Sequence, residues 1–153
     1  MEARIGILTV SDTRTLETDL SGPAAQSTLE QIGFSSFERR ICQDDVHQIR
    51  GAILELCECC QAVFTTGGSG FSHRDVTPEA TAPLLDRWAH SLSELMRIKG
   101  LERTPLSHLS RGLAGMRGNV LIVNLPGSPS GAADGIQALA LLLPPILEAL
   151  ASR

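Results

Sequence analysis

Apolar and polar positions along the chain follow two alternating periods. Ile5–Val10 is a short aliphatic run that stops at Ser11-Asp12 and reads as a buried strand. Ala62–Thr66 and Val120–Leu125 share that character, one running into Gly67-Gly68-Ser69-Gly70 and the other into Pro126-Gly127. Phe37–Cys42 is a weaker strand, with Phe37, Arg39 and Ile41 alternating against Glu38 and Arg40. Between these runs the period lengthens. Gly22-Pro23 opens a helix that gathers Ala25, Leu29 and Ile32 on one face and closes at Gly33. Asp45 followed by Gln48 starts a second helix in capping-box fashion, with Val46, Ile49, Ile53 and Leu56 in its apolar stripe. The stretches from Pro78 to about Trp88, Leu92 to about Gly100 and Pro105 to about Leu113 also read as helices. A long C-terminal helix begins near Ser130 or Gly131.

Strands alternating with helices predict an α/β domain of three layers, a mostly parallel sheet with helices on both faces, spanning residues 1–153. Open parallel sheets bind ligands outside the carboxyl ends of their strands. The unusual loops fall there: Ser11-Asp12 after the first strand, Gln43-Asp44-Asp45 after the second, the glycine cluster after the third and PGSPSG after the last. The C-terminal helix carries more apolar surface than one stripe needs, since Leu141, Leu142 and Leu143 are consecutive and point about 100° apart. Either neighbouring helices or another subunit covers the excess, and Pro144-Pro145 kinks or restarts the helix.

Composition narrows the function classes. Hydrophobic residues make up 42% and charged residues 20%, an ordinary globular balance. A formal net charge of −4 provides no domain-wide positive field for a nucleic-acid backbone, though one anionic small ligand needs only a few N–H groups and an arginine. No apolar run is long enough to span a bilayer and no signal peptide is visible, so the expected compartment is the cytoplasm. Four cysteines lack a second Cys or His pair at zinc spacing, so they are expected to be small buried or half-buried thiols. The four histidines stand apart in polar contexts, and Trp88 is expected to pack a helix.

The chemistry lies in two loops. In TTGGSG, glycines let the backbone approach a ligand and aim N–H groups at negative charge, although a tight strand-to-helix turn would use the same residues. The continuation adds Arg74-Asp75 ahead of Thr77-Pro78; Asp75 serves either as a working carboxylate or as a turn former. In PGSPSG, Ser128 or Ser130 can cap the last helix, whose N-terminus favours an anion. Asp44 is open in the same way, because either it or Asp45 can cap the second helix. Two acidic loops beside two anion-binding loops suit a magnesium-nucleotide site.

SDT (Ser11–Thr13), DLSGP (Asp19–Pro23), TTGGSGFSHRDVTPEAT (Thr65–Thr81), LMR (Leu95–Arg97), LSRGLAGMRG (Leu109–Gly118) and NLPGSPSG (Asn124–Gly131) occur in this order. In order and spacing the set resembles the molybdopterin adenylyltransferases of molybdenum-cofactor synthesis, the MogA/MoaB-type proteins related to the G domain of gephyrin and its plant counterpart. The resemblance covers essentially the whole chain and implies a homotrimer. It also implies a reaction, attack of the terminal phosphate of molybdopterin on the α-phosphate of Mg-ATP with release of pyrophosphate. It implies Asp44 and Asp75 as catalytic and Mg²⁺-holding residues. It further implies a ligand site built from Ser11, Asp12, Thr66, Gly67, Gly68, Ser69 and Gly70 and from Ser110, Pro126, Gly127, Ser128 and Pro129. A contact with the molybdenum-insertion protein follows from the same family. Ser69 replaces the commoner Thr of the glycine loop, and Cys42-Gln43-Asp44 departs from the usual Val-Pro-Asp. The competing reading is a pterin-binding or carrier member of the same family that does not turn over.

Overall fold

A computed structural model describes residues 2–152 and comprises six strands and six α-helices. In chain order these are β1 (Arg4–Val10), α1 (Ser21–Ile32), β2 (Ser36–Cys42), α2 (Val46–Cys57), β3 (Ala62–Thr66) and α3 (Thr77–Thr81). They are followed by β4 (Arg87–Trp88), α4 (His90–Gly100), β5 (Ala114–Arg117), β6 (Val120–Leu125), α5 (Pro129–Leu139) and α6 (Leu143–Ala151). The sheet order is β2-β1-β3-β6-β5-β4. β2, β1, β3 and β6 run parallel, while β5 and β4 add an antiparallel corner. The chain leaves β1 toward β2 and returns past it to β3, so the order reverses at the β1–β3 boundary, where such sheets open a crevice.

Strand side chains alternate between two buried clusters, the consequence of a period of two in a sheet covered on both sides. Ile5, Ile7, Phe64, Leu121 and Val123 face α1, α4, α5 and α6. Leu8, Val10, Val63 and Ile122 face α2 and α3. That is the three-layer α/β arrangement the periodicity implies. Gly33 closes α1 in a left-handed conformation at φ 118°. Asp45 caps α2 by accepting from the Gln48 N–H, which leaves Asp44 free of that duty.

Two of the expected helices need correction. The helix read from Pro78 to Trp88 is only α3, because Pro83 removes a main-chain donor and the chain tightens into a 3₁₀ turn at Ala82–Leu84. Arg87–Trp88 then pairs antiparallel with Gly115 and Met116, so Trp88 lies on an edge strand, stacked on the His90 ring at 5.1 Å, and not within a helix. Pro105 to Leu113 is a 3₁₀ turn over Pro105–Leu109 followed by extended chain entering β5. Leu106, Leu109 and Leu113 imitate a helical stripe, yet Leu106 and Leu109 are exposed. Gly115 supplies the reason for a strand: a Cβ there would stand 2.5 Å from the Arg87 carbonyl oxygen. The C-terminal helix restarts, as Pro144-Pro145 implies, and is two helices bent by 66°. Ile136, Leu139 and Leu143 are buried, and Ile146, Leu147 and Leu150 pack on the same core. Helices of the same subunit therefore take up most of the excess apolar surface, leaving Leu141 at 90% exposure. No single helix among the described residues is long and apolar enough to cross a membrane.

Candidate active site

The glycine loop after β3 turns sharply because two successive residues adopt left-handed backbone, Gly67 at φ 92° and Gly68 at φ 69°. Neither tolerates a side chain: a Cβ on Gly67 would lie 2.3 Å from the Val10 carbonyl oxygen, and one on Gly68 2.3 Å from Thr77 Oγ1. Thr77 secures the turn, its N–H donating to the Gly68 carbonyl at 2.9 Å and its hydroxyl to the Gly67 carbonyl at 2.9 Å. On the other side Gly127 closes in, since a Cβ there would stand 3.1 Å from the Gly67 Cα. The loops after β1, β3 and β6 thus meet with no side chain between them.

Two cavities open on either side of this junction. One, of about 530 Å³, lies over the ends of β1 and β2 and gathers Ser11, Asp12, Asp44, Gly67 and Pro129 with the arginines Arg14 and Arg74. The other, of about 450 Å³, lies toward α4 and α5, with Ser69, Gly70, Ser110, Pro126 and Ser128 beside Met96, Leu106 and Leu109. Gly68, Asp75 and Gly127 line both. The proposed site residues are therefore brought together, with one exception. Thr66 lines neither cavity; it is fully buried, and its hydroxyl pairs with Ser21 Oγ at 2.7 Å beneath the loop.

The carboxylates are held in different ways. Asp75 accepts from the Ser72 N–H at 2.9 Å, and a Cβ on Gly70 would lie 2.8 Å from its Oδ2. Asp44 is only half-buried, and its side chain caps no helix; its main-chain N–H donates to Asp12 Oδ1 at 2.9 Å. Asp12 also pairs with Arg74, tying the β1, β2 and glycine loops together. Burial, and after it the charge of Asp75, pushes the Asp44 carboxyl above its ordinary value. Two carboxylates that repel across a glycine turn form a place for positive charge.

Other residues support the site from beneath, and sequence reasoning assigned them no role. Asp19 is buried between Thr9 Oγ1 at 2.7 Å and Arg39 Nη2 at 2.9 Å, and accepts from the Gly22 N–H at 3.2 Å. Asn124 donates to Thr65 Oγ1 and Thr81 Oγ1 at 3.0 and 3.1 Å and accepts from the Leu113 N–H at 3.0 Å. It therefore joins β3, α3 and the entry to β5. Arg97 and Arg111 tether the segment around Ser110 and Gly112 to the site. All of them sit inside the quoted motifs except Arg39, and that was the available signal. Burial pushes the thiols of Cys42 and Cys57 up to about 11 and that of Cys60 to about 12, which removes them as nucleophiles near neutral pH. The four histidines are exposed.

Known proteins share sequence and fold with most of this chain. Residues 6–148 match the family described as "Probable molybdopterin binding domain". The chain is 36% identical over 146 residues to a molybdopterin adenylyltransferase of Helicobacter pylori, covering 92% of this chain and 83% of that protein. It is 41% identical over 135 residues to molybdenum cofactor biosynthesis protein B of Bacillus cereus, covering 86% and 79%. To the molybdenum cofactor synthesis protein cinnamon of Drosophila melanogaster it is 38% identical over 91% of its own length, but it spans only 24% of that longer protein. A solved structure of MogA superposes with a TM-score of 0.90 at 38% identity, covering 97% of this chain and 99% of the other.

Proposed function

This chain belongs to the molybdopterin-binding family of molybdenum-cofactor biosynthesis, and from that premise we propose that it adenylylates molybdopterin with ATP. The observation that carries the proposal is the wall common to the two cavities, where Asp75 faces both and Asp44 faces one. The pterin occupies the cavity bordered by Met96, Leu106 and Leu109, and the nucleotide the one bordered by Asp12, Asp44, Arg14 and Arg74. Their phosphates then meet at Gly68 and Gly127, where the absence of side chains allows close approach. An oxygen of the pterin phosphate bonds to the α-phosphorus, the bond from that phosphorus to the bridging oxygen breaks, and pyrophosphate leaves. Holding the two reactants at one wall supplies much of the rate, because an oriented pair no longer has to meet by diffusion.

The donor set fits magnesium. Among the described residues no three His, Cys, Asp or Glu side chains converge on one point. Two hard carboxylate oxygens suit an ion that keeps several waters and shares substrate phosphates. Asp44 and Asp75 would hold it, and when bound it would neutralise charge on the phosphates. Asp12 orients Asp44 through its main-chain N–H, while Arg74, exposed and paired to Asp12, can reach phosphate. The resemblance also carries a cytoplasmic homotrimer that meets the molybdenum-insertion protein. Light scattering at micromolar concentration should then report about three times the chain mass.

Incubation with molybdopterin, ATP and magnesium tests the reaction, with pyrophosphate and adenylylated pterin as the expected products. The 41% identity to the cofactor biosynthesis protein B favours a second reading, binding without transfer. Tight pterin binding with no pyrophosphate would select it.

A further inference from the structure

One guanidinium closes both ends of the loop that carries Asp75. Arg111 lies in the extended segment ahead of β5 and lines neither cavity. Its main-chain N–H donates to the Ser69 carbonyl at 2.8 Å. Its Nε donates to the Gly70 carbonyl at 2.7 Å and its Nη2 to the Asp75 carbonyl at 3.0 Å. Glu79, in the first turn of α3, braces the same group from the far side, with Oε2 at 2.7 Å from Nη1 and Oε1 at 3.1 Å from Nη2. All but one of the guanidinium N–H donors are thereby engaged. Between the clamped ends, Phe71, Ser72, His73 and Arg74 are exposed. The segment bearing Arg111 is itself fixed, since Arg97 Nη1 donates to the Ser110 and Gly112 carbonyls at 3.3 and 3.0 Å.

We propose that Arg111 is the positioning residue for Asp75: by pinning the Gly70 and Asp75 carbonyls to one planar group braced by Glu79, it holds the Asp75 carboxylate at the wall shared by the two cavities. The role needs arginine, because a lysine offers a point charge and cannot span two carbonyls and a carboxylate in one plane. It rests on the reading of Asp75 as a working residue in adenylyl transfer. A misplaced reacting group costs on the order of 100-fold per ångström, so a small relaxation of this loop is visible in turnover.

The test compares Arg111→Lys and Glu79→Gln, each alone and Arg111→Lys also in an Asp75→Asn background. Arg111→Lys should lower kcat about 100-fold while KM for both substrates stays within about 3-fold. Glu79→Gln, which loosens only the brace, should cost about 10-fold. In the Asp75→Asn background Arg111→Lys should add almost nothing, because no working carboxylate remains to be placed. Amide exchange supplies a readout independent of turnover: the Ser72 N–H, held by the Asp75 carboxylate, should exchange about 10-fold faster in Arg111→Lys, with β3 unchanged. Unaltered Ser72 exchange would overturn the proposal. So would an equal loss of kcat in both backgrounds, or a fall in melting temperature with matched rises in both KM values. If the wild-type chain releases no pyrophosphate, the adenylylation reading fails, and Ser72 exchange still decides whether Arg111 places Asp75.

Discussion

The two cavities beside the glycine turn are similar in size and differ in how polar they are. The one over β1 and β2 is bordered by Asp12, Asp19, Asp44 and Asp75 against Arg14 and Arg74. The one over α4 and α5 offers Met96, Leu106 and Leu109 among glycines and serines, with Arg97 and Asp134 also in its lining. They share Gly68, Asp75 and Gly127. One polar lobe, one largely apolar lobe and a common wall that carries Asp75 would suit two unlike partners that react where they touch. On the proposed function, the polar lobe would place phosphate and metal, and the apolar lobe a flat organic ring.

The largest effect should come from the wall itself. Asp75→Asn preserves an acceptor for the Ser72 N–H and so the loop, but should cut transfer on the order of 100- to 1000-fold while both lobes still bind. Near-normal turnover would reduce Asp75 to a turn former. Asp44→Asn should cost about 100-fold at low magnesium and recover in part at high magnesium, since it belongs to the polar lobe alone. A loss that magnesium cannot touch would separate Asp44 from the metal.

Structural changes follow, with smaller consequences. Gly67→Ala forces a left-handed alanine against the Val10 carbonyl and should destabilise the fold by about 3 kcal/mol in urea unfolding. Asp45→Ala removes a cap without touching either lobe, so it should cost about 1 kcal/mol and leave transfer intact. If Asp45→Ala abolished transfer and Asp44→Asn did not, the two lobes would have been drawn with the wrong aspartate.

The smallest effect is a matter of sign. Because the Asp44 carboxyl is raised in the folded chain, the folded state binds its proton more readily than the unfolded state. Stability contributed by this group therefore falls as pH rises from the unfolded value, about 3.8, through the folded one. Above that window its charge is a burden that Asp44→Asn relieves. Melting at pH 7 should rise slightly in the variant, and the gain should fade as pH drops well below the unfolded value, to about pH 2.5, where both states are protonated.

Legibility in the sequence tracked the locality of the cause. β1, β3 and β6 were visible because each is a continuous apolar run buried in the sheet, β2 because its apolar and charged residues alternate, and the Asp45 cap because its partner Gln48 lies three residues away. The glycine turn, Asp75 and the PGSPSG loop were visible as motifs, and Asp44 through its place after β2. What stayed hidden depended on distant partners. β4 and β5 are too short to show a period; β4 is a strand only through its pairing with Gly115 and Met116, and β5 through that pairing and its own with β6. The break at Pro83 and the exposed Leu106 and Leu109 mimicked helical spacing. Asp19, Asn124 and Arg111 lie within recognisable motifs, yet their work is done on Thr9, Thr65 and Gly70, far away in the chain.

If the proposed function is right, the two lobes deliver their occupants to one wall. A crystal structure of the complex with molybdopterin, magnesium and α,β-methylene ATP tests it most directly, because that analogue cannot release pyrophosphate. The pterin should lie in the apolar lobe and the nucleotide in the polar one. The attacking phosphate oxygen should lie about 3–3.5 Å from the α-phosphorus, beside Gly68, Asp75 and Gly127. Both ligands competing for a single cavity, or phosphates lying on opposite sides of the Asp75 loop, would contradict it.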